Sequence, residues 1–413
     1  MESTATQADA DVGVGVIAEA WVCPFCPLLC HDVRPEVRDG DGWRLAADTP
    51  CARADGALAA LQPPAMAPRA DPIEAGARLL RAARRPLFAG LGTDVAGARA
   101  LTRLAAACGA VIDGGGAGPL RTLRSLQDRG GYSTTLAEVA LHADLIVTIG
   151  FDPAQRQPRF WQRVQGDPAA RVVALASADL FTELALLAAL VAGRHVIDPP
   201  PSLQALAEQL RAARYAVLVW EPAALPAQGE LLIELLQRLI GTLNQHTRAA
   251  GLALGGDNGL ASVQQAHLWL TGLPLATAHG PRGLEHDPWC FDAPSLVQGG
   301  AVDAVLWVDA FGQQPLPPEL LASPLPLLLL ATPQRLAALP VRAAATVAIA
   351  VGTPAVDHGG HLFRTEFSVV QPLRALRPST LPSVAEVLLQ MLTVARGTRT
   401  HPDPLPQAGE GAR

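Results

Sequence analysis

The chain has 413 residues, 49% of them hydrophobic and 17% charged, with a formal net charge of −6. That length and composition predict two or three domains with substantial cores and exclude a disordered chain. An acidic balance without any run of Lys or Arg excludes a nucleic-acid surface.

Residues 1–20 are polar, carry acids rather than a basic n-region, and read as a disordered leader rather than a secretory signal. A compact Cys-bearing segment follows over residues 21–62. Its end runs into Gln62-Pro63-Pro64-Ala65-Met66-Ala67-Pro68, a linker because proline continues neither helix nor sheet ladder. Beyond it the chain alternates. Ile73 to Ala83 is an amphipathic helix, Pro86 to Leu91 a short apolar run ending in Gly92-Thr93-Asp94, and Val95 to Cys108 a second helix. Further apolar runs are 110–113, 144–150, 171–175, 216–220, 304–308, 326–330 and 346–351. Runs without alternation, separated by helical patterns, predict strands buried on both faces of parallel sheets. The pattern restarts near Ala216. The expectation is an α/β protein of two doubly wound, Rossmann-like units, residues 70–215 and 216–395, beside a small N-terminal Cys-rich segment. Residues 396–413, rich in Pro and Gly, read as a disordered tail. The longest apolar stretches, such as Leu184 to Ala192, are too short to span a bilayer, so a cytoplasmic protein without membrane contact is expected.

Four of the six cysteines cluster. Cys23, Cys26 and Cys30 are spaced C-x2-C-x3-C, and Cys51 follows after twenty residues. In a reducing compartment such clustering indicates metal rather than disulfides. Four soft thiolates in an apolar setting suit a [4Fe–4S] cluster; structural zinc and an empty relic remain alternatives. Cys108 and Cys290 are isolated, and Cys108 reads as a core residue.

This block resembles the cluster segment of molybdopterin oxidoreductases, and most closely that of the B subunit in the formylmethanofuran dehydrogenase family, with His31-Asp32 in place of an Asp-Asp pair. Arg53 stands where that family places a basic residue between cluster and pterin. Three further stretches carry the resemblance: Val111-Ile112-Asp113 with Gly118-Pro119; Gly255-Gly256-Asp257-Asn258-Gly259 with 269–274 and Gly280-Pro281-Arg282-Gly283; and residues 357–366. The resemblance implies a molybdopterin-oxidoreductase-like fold. It also shows a departure. Gly116 occupies the position of the Cys or selenocysteine that ligates Mo or W, and Ala117 replaces the neighbouring His. Glycine offers no side-chain ligand, so a molybdopterin or tungstopterin cofactor is expected to be absent and no catalytic residue is assigned. The resemblance then points to the bacterial formyltransferase/hydrolase branch of tetrahydromethanopterin-linked one-carbon metabolism, from formaldehyde to formate. There a B-like subunit would be structural, with hydrolase-type and transferase-type subunits and a methanofuran-like carrier as partners. The alternatives are a redox-active subunit with a molybdopterin-type cofactor and a [4Fe–4S] cluster, and a pure electron-transfer module.

Other polar residues have bland readings. His279, Glu285, His286 and Asp287 read as a solvated Gly/Pro loop over 277–288, and His358 and His361 as loop polarity. Arg282 and Arg364 could face an anion or form surface ion pairs. The sequence contains no G-x-S-x-G elbow, H-E-x-x-H pair or Walker loop.

Overall fold

The computed structural model describes residues 21–38, 42–61, 70–115, 118–166, 169–226 and 228–397. The expected leader and linker, Gly116, Ala117 and the tail beyond Gly397 lie outside the described residues. In chain order the Cys-bearing segment forms a hairpin, β1 (Pro35–Arg38) and β2 (Gly42–Leu45), and a helix, α1 (Ala52–Ala59). Next come α2 (Ala70–Ala82), β3 (Pro86–Gly92), α3 (Val95–Cys108) and β4 (Val111–Ile112). The middle of the chain holds α4 (Gly118–Arg129), α5 (Leu136–His142), β5 (Leu145–Ile149), α6 (Phe160–Val164), β6 (Arg171–Leu175), α7 (Leu180–Val191), α8 (Pro201–Ala212), β7 (Tyr215–Trp220), α9 (Gly229–Leu243) and β8 (Arg248–Ala253). Then follow α10 (Leu260–Thr271), β9 (Thr277–Gly280), β10 (Gly283–His286), α11 (Ala293–Gln298), β11 (Ala304–Asp309), α12 (Pro318–Ala322), β12 (Leu327–Ala331), α13 (Pro333–Ala337), β13 (Thr346–Ala350), β14 (Gly360–Phe363), β15 (Val370–Leu373) and α14 (Val384–Gly397).

Local chemistry sets these bounds. The Asp94 carboxylate accepts from the Gly97 amide at 2.9 Å and caps the start of α3. Gly109, in the left-handed region at φ 69°, ends the helix. Every residue of β3, β5, β7, β11 and β12 is buried, which is why these strands read as unbroken apolar runs.

Two mainly parallel sheets result. The larger has the order β10-β9-β4-β3-β11-β12-β13, with antiparallel pairing only at its β9 and β10 end; the smaller, β6-β5-β7-β8, is parallel throughout. The mixed α/β character with parallel-sheet units matches the sequence expectation. The division at 215/216 does not match: β7 pairs with β5 in parallel, Ala216 opposite Leu145, so that boundary would cut the smaller sheet. The chain lays down β3 and β4, leaves to build β5 to β8, and returns to complete the larger sheet. Strands buried on both faces look alike in sequence, so periodicity locates them without saying which pair. The segment 277–288, expected as a loop, is largely the β9–β10 hairpin.

Four cores follow from the two sheets. Phe88, Leu306 and Leu328 point toward α2, α3 and α14, and Leu87, Val305 and Leu327 pack on the opposite face. On the smaller sheet, Val147, Leu218 and Trp220 meet α7, α8 and α9. Ile146, Val217, Val219 and Leu252 face the other way, into Trp21, Phe25, Leu28, Leu58 and the four clustered cysteines. The Cys segment is therefore a covering layer of this sheet. Among the described residues no helix is long and apolar enough to cross a membrane.

A fragment spanning residues 21–215 would strip β5 of its β7 neighbour and leave a two-stranded sheet with an open apolar face. It should lack a cooperative thermal transition by circular dichroism. A sharp two-state melt would contradict this strand order.

Candidate functional site

The four cysteines sit on one tightly folded segment. The Cys23 amide donates to the Cys30 carbonyl at 2.9 Å and the Leu29 amide to the Cys26 carbonyl at 3.2 Å, with Leu29 in the left-handed region at φ 46°. Cys51 is the extended residue before α1, and its carbonyl accepts from the Asp55 amide. All four side chains are buried in the same core, at 4–8% exposure. Burial first, then mutual repulsion of the charged forms, raises the Cys23 thiol well above its ordinary range and Cys26 to about 12. Burial and the nearby Asp32 push Cys30 up to about 11. Each of these three lies within electrostatic reach of other members of the cluster. Among the described residues no three His, Cys, Asp or Glu side chains come together as ligands of a single metal ion.

Cations ring this cluster. Arg53 acts on Cys26, and Arg163 and Arg159 on Cys30, each favouring the thiolate. Arg159 donates to the Asp32 carboxylate at 2.6 Å, with Arg163 at 3.7 Å. Burial alone would raise the Asp32 carboxyl, but the Arg159 hydrogen bond and charge outweigh it and hold it below the usual range. Arg53 donates to the Arg156 carbonyl at 2.9 Å and lies 3.0 Å from the Asp257 carboxylate, linking the cysteine layer to the 255–259 loop. Arg156 in turn pairs with buried Glu221.

Three of the sequence-marked stretches meet here. The Thr365 amide donates to the Pro27 carbonyl at 2.8 Å, and the Thr365 hydroxyl accepts from the Gly255 amide at 3.0 Å. In that loop Gly256, Asn258 and Gly259 all have positive φ, and a Cβ on Gly259 would lie 2.2 Å from the Thr93 carbonyl oxygen. The fourth stretch ends β4. Asp113 accepts from the Gly115 amide at 3.2 Å and the Ala293 amide at 2.9 Å, and burial raises its carboxyl to about 6. A Cβ on Gly114 would lie 2.5 Å from the Leu260 side chain, so this turn abuts the start of α10. A largely apolar cleft of about 270 Å³ opens beside Gly114 and Gly115, walled by Ala89, Trp307 and Pro315.

The remaining polar residues do not converge. Arg282 and Glu285 form an exposed ion pair at 3.0 Å, and Asp287 accepts from the Trp289 and Cys290 amides. Arg364 pairs with Glu366 in the interior rather than facing an anion. His358 bonds the Gly359 carbonyl through Nδ1, and His361 is exposed. Cys108 is half-buried and packs against the larger core, while Cys290 is exposed. His279 is different: it is buried, with Nε2 3.3 Å from Nε2 of His267 on α10. The Leu273 carbonyl, 2.9 Å from His267 Nδ1, requires a hydrogen there, so His267 Nε2 accepts from His279. Sequence reasoning missed His267, an ordinary polar position in a helical pattern. It also missed Asp309, a fully buried strand-end acid whose carboxyl burial raises to about 6 and which Arg335 approaches at 3.5 Å.

These features define a class: an α/β protein of two parallel-sheet units, with a four-cysteine segment layered on one of them and a cleft at the strand ends of the other. No protein-family model matches the sequence. The chain is 32% identical over 349 residues to the B subunit of the formyltransferase/hydrolase complex Fhc of Methylorubrum extorquens, an alignment covering 78% of this chain and 93% of that protein. It also resembles a chain in the crystal structure of the formyltransferase/hydrolase complex FhcABCD from Methylorubrum extorquens in complex with methylofuran. The TM-score is 0.69 at 30% identity, over 79% of this chain and 96% of that one. The chain belongs to the family of formyltransferase/hydrolase complex B subunits.

Burial holds the His267 imidazole down to about 4, below its ordinary value near 6.5. The unfolded chain therefore takes up this proton first, and the stability held above pH 6.5 is lost as pH falls toward 4. Asp113, raised to about 6, acts in the opposite sense, so the comparison must be with a variant. Relative to His267→Asn, the parent should lose roughly 2–3 kcal/mol between pH 7 and pH 4.5. Denaturant unfolding at a series of pH values checks this; parallel curves would contradict it.

Proposed function

We propose that the chain is the B subunit of a formyltransferase/hydrolase complex in tetrahydromethanopterin-linked one-carbon metabolism, and that it serves there as scaffold rather than as a redox catalyst. The observation that carries this is the match along 93% of a known B subunit, together with Gly116 at the position of the metal ligand. Its partners are transferase-type and hydrolase-type subunits, consistent with the FhcABCD assembly of the relative, and a methanofuran-like carrier, consistent with the methylofuran in that structure. The fold is molybdopterin-oxidoreductase-like in this reading, and the 270 Å³ cleft beside Gly115 is the remnant of its cofactor site.

The same reading assigns a [4Fe–4S] cluster to Cys23, Cys26, Cys30 and Cys51. Four buried thiols in one core, ringed by Arg53, Arg159 and Arg163, fit an anionic four-iron cube in donor chemistry and in charge. When bound, the cluster would cross-link the covering layer and could exchange one electron. The chain's own residues hold that layer on the sheet, keep water from the thiols and set positive charge around them.

The purified complex should show no viologen-linked formate oxidation and substoichiometric Mo and W. Substantial activity together with one Mo or W per chain would overturn the scaffold reading in favour of a redox enzyme.

Anaerobic purification should give a brown protein with about four irons per chain. Cys26→Ser should lose the iron and melt roughly 5–10 °C lower, on a scale of about 2–4 °C per kcal/mol. Colourless, iron-free protein with Cys26→Ser as stable as the parent would remove the cluster and leave the scaffold role standing.

A further inference from the structure

The cleft of about 270 Å³ beside Gly114 and Gly115 has the position of a ligand site. β3 and β11 are parallel neighbours, yet α3, which follows β3, packs on one face of their sheet, and α12, which follows β11, packs on the other. Adjacent strands whose connections leave to opposite faces open a crevice at their carboxyl ends, and open α/β sheets bind their ligands there. The ladder is also irregular at this point. Its register slips between Trp307 and Asp309, and Gly90 and Leu91 on β3 both have positive φ, at 72° and 61°. A Cβ on Gly90 would lie 2.7 Å from the Trp307 ring, so the glycine is what lets the indole sit close on β3 and wall the cleft.

The lining does not suit a pterin with its phosphate. Among the described residues that line the cleft there is no Lys, Arg or His, and Glu319 on the rim is the one charged side chain. The Gly115 amide is already taken by Asp113. An anionic group would enter without a counter-charge and near a carboxylate, at a steep desolvation cost. Apart from Gln314, the accessible walls are apolar: Val297 of α11, the Trp307 ring, and Pro294, Pro315 and Pro317. Proline has a fixed φ, and Gly90 seats the indole, so these walls need little ordering when a ligand arrives.

We propose that this cleft binds a neutral, apolar molecule of one or two fused rings. Size sets the upper end: an apolar cavity of about 150 Å³ takes benzene, so the larger cleft holds a second ring. Rigid aromatic and proline faces favour a rigid ring, which stacks on the indole and loses less freedom than a flexible chain. This goes beyond the scaffold role, and rests on that reading only in placing no pterin in the cleft.

The probe is 2-naphthol, with 2-naphthoate as its charged near-isostere and free pterin as the cofactor-like control. In saturation-transfer NMR on the full chain, 2-naphthol should give a clear signal, and 2-naphthoate and pterin signals about tenfold weaker. Val297→Trp fills this cleft and should abolish the 2-naphthol signal. Leu339→Trp, in the neighbouring cavity of about 210 Å³, should leave it unchanged. Equal signals for 2-naphthol and 2-naphthoate, or for parent and Val297→Trp, would overturn the proposal, as would loss in Leu339→Trp alone. No 2-naphthol signal at all would overturn it and leave the scaffold role standing. A pterin signal stronger than that of 2-naphthol would overturn it in favour of a retained cofactor site. Crystals of the parent soaked in 2-naphthol need no variant: ring density against Trp307 and Pro315 supports the site, and a cleft without it refutes it.

Discussion

Thr365 is the residue on which the arrangement of the molecule turns. Its side chain and backbone are wholly buried. Its amide holds the Pro27 carbonyl inside the cysteine turn, and its hydroxyl accepts from the Gly255 amide and, at 3.4 Å, from the Gln157 side chain. One small residue thus joins four segments far apart in sequence: the cysteine layer, the loop after β5, the loop between β8 and α10, and the turn after β14. None is held by a continuous ladder at this point, so these hydrogen bonds tie the segments together, alongside the Arg53–Asp257 ion pair and the packing of α10 on α3. Buried bonds of this kind add little net energy each but cost a full desolvation penalty when broken, of about 1–3 kcal/mol. That asymmetry makes the junction specific rather than merely adhesive.

The covering layer depends on that junction in turn. Trp21 donates to the Ala355 carbonyl at 2.7 Å, and Phe25, Leu28 and Leu58 close over Val217 and Val219. The apolar burial would hold this layer on the sheet without metal. Burial disfavours three of the thiols as thiolates: it raises Cys23, Cys26 and Cys30 together, and three arginines only partly offset it. A bound cationic centre would reverse that balance, because the thiolates would then face metal as well as guanidinium groups.

Much of this was legible in the sequence, for physical reasons. Val95 to Cys108 carries a helical period with an Asp before it and a Gly after it, and α3 has those bounds. The runs at 145–149 and 304–309 lack alternation because both faces are covered, and they are buried throughout. The four marked motifs were readable as residues, and three of them converge on Thr365. Pairing was not readable. Nothing in 216–220 distinguishes a strand that starts a new sheet from one that lies beside 145–149, because that choice is made by which helices cover which face. His267 and Asp309 were invisible for a related reason, since their meaning comes from burial against residues distant in sequence.

The turn after β4 owes its shape to two local constraints. Its shape is set by the Asp113 carboxylate, which takes the Gly115 and Ala293 amides, and by the missing Cβ at Gly114, which lets the Leu260 side chain close in. Both constraints lie in residues 113–115 and the elements packed on them, and together they fix the end of the strand. The cysteines differ, because they are core residues of the covering layer as well as candidate ligands. Their sulfur atoms pack within the core that holds the covering layer on the smaller sheet.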